Sequence, residues 1–409
     1  MFTRRTFLGS AAATAALFGS SSFTRAHAGG GGKRFLFLHA EGGWDPLTVF
    51  APLFDAPDID MEAGTEPWTI GGLSLVDSPQ RPVTRTFFEQ YHGEIALLNG
   101  VSVRSVNHET CAIVALTGAT SEDRPDFATI LGYEARDEVS LPHLVMNGPS
   151  LPGPYSVFVS NAQGRLQQTI DGTLLIDNDT PLRLPDSAPE RIVDRYLVDR
   201  AEALQLELPG PGHAADYREA LSRARALVDS RYQLQLASSD SFVGRARTAI
   251  AALSAGLCRC ASVGTGFNWD THQDNSLQGG LFEGFFGDIA AVLAELANTL
   301  GPDGKPLRES TVVVVTSEMG RTPAYNSTGG RDHWPYTSML LMGPGIHGDR
   351  SFGGYSDLYA GIGVDAGGDP DPSQPGIPAE AVGATLLTLG DVDPAEYLRI
   401  VDPVPGVLA

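Results

Sequence analysis

Several short polar clusters in this chain carry groups able to hold a metal ion or move a proton. Trp269-Asp270-Thr271-His272 sets a carboxylate and an imidazole two residues apart, and in an extended stretch both would point the same way and grip one cation. Asp332-His333 adds a second imidazole, Ser317-Glu318 a second carboxylate, and Gly42-Gly43-Trp44-Asp45 a third. Asp45, Asp270, His272, Glu318 and His333 are therefore a candidate ligand set with room for water or substrate, as metal-assisted hydrolysis requires. Each piece also has a plain structural use. Asp270 could cap backbone with His272 buried and hydrogen-bonded, and Asp332 could close a turn or orient His333. His108 reads as a further ligand, a proton donor, or a histidine at a helix end. Arg321 offers a guanidinium fork for an anion, or a partner for Glu318.

These groups need a rigid edge to meet on. Thr311 to Thr316 contains four consecutive valines after turn residues Pro302, Gly304 and Pro306, the pattern of a strand buried on both faces. Its carboxyl end delivers Ser317, Glu318 and Arg321. Arg34 to His39 reads as another buried strand, ending at glycines that let the backbone turn and bring Asp45 to the same rim. Ile95 to Val101 is a third, leading to Asn107 as a helix cap before an apolar run from Cys111 to Leu116. Helices are expected over Thr84 to Tyr91, Thr248 to Leu257, Leu281 to Leu300 and Ala379 to Leu389, with strands at Leu144 to Met146 and Ser338 to Met342. The alternation of strand and helix implies an α/β fold, a mostly parallel sheet covered on both faces. Residues 148–240 are poor in long apolar runs, then helical and charged, and read as an inserted cap.

Of 409 residues, 28 are basic and 49 acidic, for a formal charge of −21. So acidic a chain excludes nucleic acid and anionic membrane as natural partners, while a small anionic substrate remains compatible if local cations reverse the field. Three cysteines, two of them separated by one residue, supply neither a disulfide framework nor a four-thiolate zinc site. Residues 1–28 contain Arg4-Arg5, a modest apolar run and Ala26-His27-Ala28, the pattern of a twin-arginine export signal, followed by a glycine leader at 29–33. The apolar run is too short for a permanent membrane span. The expected location is periplasmic or secreted, with the twin-arginine translocase as a partner during export.

His39-Ala40-Glu41-Gly42-Gly43-Trp44-Asp45, Asn107-His108, Trp269-Asp270-Thr271-His272, Ser317-Glu318-Met319-Gly320-Arg321-Thr322-Pro323 and Gly330-Arg331-Asp332-His333 resemble, in order, the landmarks of the DUF1501 family. That family looks like a distant branch of the alkaline phosphatase and sulfatase superfamily. The resemblance implies one alkaline phosphatase-like domain over 34–405, a three-layer sandwich with 148–240 inserted, one or two divalent metals (zinc, calcium, magnesium or manganese), and hydrolysis of a small anionic phosphate or sulfate ester. It makes Asp45 the first-strand ligand and Glu318 the acid at the end of the valine strand, with Asp270, His272 and His333 completing the set. The sequence departs from that pattern twice. Met319 stands where a ligand histidine is expected, and a thioether suits none of those metals. Asn107 stands where a nucleophile is expected, leaving Thr110 or Ser105, otherwise caps or exposed hydroxyls, or a metal-bound water. Both departures favour the alternative, an exported binding or assembly protein that keeps the fold without catalysis.

Overall fold

The computed structural model of the chain describes residues 32–161, 188–207, 213–229, 240–399 and 402–409. The segment 1–28, expected to be an export signal, lies outside them, as does much of the 148–240 segment.

The strands are β1 Arg34–His39, β2 Glu66–Ile70, β3 Leu73–Asp77, β4 Ile95–Ser102, β5 His143–Val145, β6 Val159–Asn161 and β7 Cys260–Gly264. They continue with β8 Thr311–Thr316, β9 Gly320–Arg321, β10 His333–Trp334, β11 Tyr336–Met342, β12 Arg350–Tyr355, β13 Gly361–Val364 and β14 Pro370–Pro375. Ten of them form one sheet in the order β14-β13-β12-β4-β11-β8-β1-β7-β5-β6. Only β11 and β13 run against the rest, so the fold is mixed α/β with a large, mostly parallel central sheet. Two hairpin-like pairs, β2 with β3 and β9 with β10, stand outside it.

The valine run sits next to the middle of the sheet, and its pleat explains the unbroken apolar pattern. Val313 and Val315 of β8, with Leu36 and Leu38 of β1, face one core. Val312 and Val314, with Phe35 and Phe37, face the other. Each buried valine or leucine contributes about 1.5–3 kcal/mol, so β1 and β8 fix the register of the whole sheet. The first face is covered by helices Pro82–Tyr91, Phe242–Ser254 and Leu277–Asn298, the second by His108–Thr117, Phe127–Glu134 and Ala379–Leu389. In Leu277–Asn298, Phe282, Phe286, Ile289, Leu293 and Leu296 recur at three- and four-residue steps and are buried. Phe286 meets Phe87 of the neighbouring helix at 4.7 Å between ring centroids.

Strands β6, β12, β13 and β14 were not among the elements expected from the sequence, the helix expected from Leu281 begins at Leu277, and two further elements differ. The helix expected from Thr248 begins at Phe242, because Ser241 caps it by accepting from the Gly244 N–H at 3.2 Å. Strand β7 was not foreseen: Cys-Ala-Ser-Val-Gly is short and contains a serine, yet all five residues are buried between β1 and β5. Cys111, Cys258 and Cys260 are all unpaired and buried. Within the 148–240 segment, Arg223 of helix His213–Asp229 donates to the carbonyls of Arg136, Val139 and Ser140. Those residues precede the amino end of β5, so this anchor lies at the sheet edge away from the strand ends that carry Glu41, Glu318 and Asp270.

Candidate metal centre

Strands β1, β7 and β8 end together, His39 level with Gly264 and Thr316. The loops beyond them interlock through two glycines. Gly42 and Gly43 have φ of 114° and 84°, a region that L side chains rarely adopt. A Cβ on Gly42 would lie 2.7 Å from the Asp270 nitrogen, and one on Gly43 would lie 2.7 Å from Met319 Cγ. Only bare backbone lets the β1 loop nest against both neighbours. Ser317 locks the same junction, donating to the Ala40 carbonyl at 2.6 Å while accepting from the Trp44 N–H at 3.1 Å.

Three imidazoles gather above this junction. His108 is the first residue of its helix, placed by Asn107, whose side chain accepts from the Thr110 N–H. His272 follows from the loop after β7. His333 starts β10, paired across from Arg321 of β9. Each ring is fixed on its Nδ1 side. His108 Nδ1 lies 2.9 Å from Glu318 Oε1, His272 Nδ1 3.0 Å from Asp332 Oδ1, and His333 Nδ1 2.6 Å from the Val106 carbonyl. All three acceptors are oxygens without a proton to give, so each Nδ1 is the donor, and each neutral ring presents a bare lone pair at Nε2.

Those Nε2 atoms converge. His272 Nε2 and His333 Nε2 are 2.7 Å apart, and both approach Asp270 Oδ1, at 3.1 and 3.4 Å. His108 Nε2 lies 3.5 Å from Asp270 Oδ2 and, though buried, has no hydrogen-bond partner. His108, Asp270 and His333 each offer a ligand atom within 4.8 Å of the others. Two lone pairs facing each other at 2.7 Å repel unless a proton or a cation lies between them. Burial lowers the basicity of His333, assisted by Arg321 and His108, which disfavours the proton. A divalent cation removes the conflict and uses the orphaned nitrogen, so these residues fit one. The hydrogen bond that His108 donates to Glu318 raises the His108 pKa against the effect of burial. Burial alone would raise the Asp270 carboxyl, yet Arg321, His272 and His108 bring it below the ordinary range.

Several expected roles change. Asp45 does not join the group. It is buried, its Oδ1 caps Leu47 N–H at 3.0 Å, and its Oδ2 takes Asn275 at 2.8 Å and Arg331 at 3.2 Å. Glu318 is not turned toward the centre, since its Oε1 is occupied by His108 and the Gly42 N–H, at 2.8 Å; it holds a ligand instead of being one. Arg321 is fully buried and pairs with Asp270 at 2.7 Å, not with Glu318. Its remaining donors go to the carbonyls of Gly42, Gly43, Trp269 and Arg331, so it cannot clamp an external anion. Thr110 is tied to the cap, its hydroxyl 3.3 Å from Asn107 Oδ1, and is no free nucleophile. Ser105 accepts from the Asn107 N–H in the same turn. Met319 is buried in the core, so no ligand stands in for the missing histidine there. Asp332 orients His272, not the adjacent His333. The sequence reading missed Asn275 and Arg331 as the partners of Asp45; the polar run after Trp269-Asp270 and the arginine before Asp332 were the available signals.

The motifs in these loops are those that resembled one family. Residues 200–361 match the DUF1501 family model, described as a protein of unknown function. No curated protein sequence matches the chain. Among solved structures, the lipoteichoic acid synthase LtaP from Listeria monocytogenes is similar at 8% identity, over 95% of this chain and 78% of that one, with a TM-score of 0.38. A TAB5 alkaline phosphatase mutant with magnesium bound shares 11% identity over 88% of this chain and 99% of that one, at a TM-score of 0.35. The C-terminal periplasmic domain of EcEptC from Escherichia coli shares 10% over 91% and 86%, at 0.33. Likenesses of this size carry no activity across.

Proposed function

We propose that this chain is an exported metal-dependent hydrolase of phosphate or sulfate esters, in which His108, Asp270, His272 and His333 hold a divalent cation. The observation that carries the reading is the meeting of three Nε2 atoms whose rings are each fixed from the far side. A cation held there would supply a Lewis acid for an ester oxygen and would lower the pKa of a water molecule. Imidazole nitrogens with one carboxylate suit zinc or manganese better than calcium, which prefers oxygen alone. Glu318, Asp332 and the Val106 carbonyl keep the three rings in the Nδ1-protonated form. Arg321 pins Asp270 Oδ1 and leaves Oδ2 turned toward His108. With Thr110 and Ser105 engaged in the helix cap, the reading takes water as the nucleophile.

Export by the twin-arginine route to the periplasm or beyond is part of this proposal, resting on Arg4-Arg5 and the cleavage pattern in the sequence. Among the described residues, no helix is long and apolar enough to cross a membrane. One observation favours a second reading, a non-catalytic binding or assembly protein: Arg321, the guanidinium touching the group, is spent on internal carbonyls.

Metal analysis of the protein recovered after export, with a panel of aryl phosphates and sulfates, tests both. The expected result is about one bound cation and ester turnover, both lost in His272→Ala and His333→Ala. Bound metal without turnover on any ester supports the binding role, and turnover that survives both substitutions removes the assignment.

A further inference from the structure

We infer that the cleft beside His108 receives the alcohol half of the substrate, and that this half carries a cationic amino group on a short apolar frame. Which half reacts rests on the proposal above; the preference for a cation rests on the walls of the cleft alone. The cleft holds about 350 Å³ and lies between the ends of β1 and β8 and helix His108–Thr117. Ala112, Ala115 and Leu116 give it an apolar side. Phe267, 68% exposed, adds an aromatic face and meets the His108 ring edge-on at 5.9 Å.

Its charged lining has one sign. Glu41, Glu109 and Glu318 contribute carboxylates, and none of the lining residues is lysine or arginine. Glu41 is only 8% exposed, and its Oε2 accepts from the Gly266 N–H at 2.6 Å. Its Oε1 has no hydrogen-bond partner among the described residues. The nearby Arg245 acts on Glu41 through space only, its Nη atoms going to Asp240 and to the Gly264 carbonyl. Glu41 also feels the charge of the neighbouring Glu318, and a cation brought to its open oxygen relieves that repulsion. An ammonium group would supply that charge, with the Phe267 face as a further attraction. An anion entering the same space would meet three carboxylates and no lysine or arginine in the lining, so the pocket discriminates by repulsion as well. His108 borders the cleft with its ring and turns Nε2 to the metal centre, so an alcohol lodged here lies one imidazole from the reacting ester.

A matched series tests this on the full chain without requiring turnover. Binding of benzylamine, benzyl alcohol and benzoate is measured by calorimetry near pH 7, with Glu41→Gln, which keeps the acceptor for Gly266, and Ala112→Phe, which fills the cleft. Benzylamine is expected to bind at least about tenfold more tightly than benzyl alcohol, and benzoate most weakly. Glu41→Gln should erase the advantage of the amine, and Ala112→Phe should remove binding of both. Benzoate binding as tightly as benzylamine, or an amine preference that survives both substitutions, overturns the inference. Amine preference in a protein that hydrolyses no ester would keep the pocket and fail the hydrolase reading; turnover without amine preference would do the reverse.

Discussion

Two groups of histidines sit on the same sheet and have opposite character. His143, at the start of β5, is fully buried; its Nδ1 meets Thr129 Oγ1 at 3.0 Å and its Nε2 meets Ser262 Oγ at 2.8 Å. Asp126 lies 3.9 Å away, with its own oxygens spent on the Thr129 and Leu151 N–H groups. A serine, a histidine and an aspartate thus lie close together, yet every polar atom of the ring has an internal partner and no substrate reaches it. His108, His272 and His333 are only partly buried, and each is held on one nitrogen while the other is turned to a shared point. What separates scaffold from site is unsatisfied valence, not residue type. Asp45 belongs with His143 by the same criterion.

The comparison breaks first if His143 is not structural. His143→Ala should destabilise the fold by about 3 kcal/mol, from a cavity and two hydroxyls left without partners, and leave cation affinity unchanged. Denaturant titration and a metal competition assay on one preparation measure both; a change in affinity would join the two regions.

The second test uses acid. Burial pushes the His39 pKa down to about 4 from an ordinary 6.5, and burial lowers that of His143 as well. The unfolded chain then binds protons that the folded one refuses. The stability from His39 is complete above pH 6.5 and is lost as pH falls toward 4, by about 3 kcal/mol. His39→Phe should flatten this limb of the stability profile, measured by denaturation between pH 7 and 4. An unchanged limb would show that His39 is protonated in the folded state.

The smallest effect sharpens the open side. Asp332 is exposed, and hydrogen bonding from His272 holds its carboxyl below the usual range. Asp332→Asn should weaken cation binding by about tenfold, the low end for an outer partner, with little change in stability. No loss of affinity would remove the orienting role given to Asp332.

The strands that place the site were plain in the sequence because burial on both faces leaves no polar alternation: four valines in β8 and Phe-Leu-Phe-Leu in β1 cannot be surface. The helix Ala379–Leu389 was legible to the residue, stopped by Gly390. β7 was not, since five small residues carry no period of their own and are recruited by the strands on either side. Asp270, His272 and His333 meet, but the parts played by Asp45 and Arg321 depended on partners far along the chain. Asp45 stands before Pro46, a cap signal that a helix of only four residues made easy to overlook. Nothing in Gly320-Arg321 announces that a guanidinium will be wholly internal, because that follows from carbonyls of the β1 and β7 loops converging on it.

His108, His272 and His333 are drawn from segments spread over more than half of the chain, and none of the three spacings is local. Asp270 and His272, two residues apart, are the one local pair, so an ion would find at most two ligands in the disordered polypeptide and most of its affinity would accrue to the finished fold. It would act as a late rivet, closing three long loops at once after the sheet has already brought them within reach.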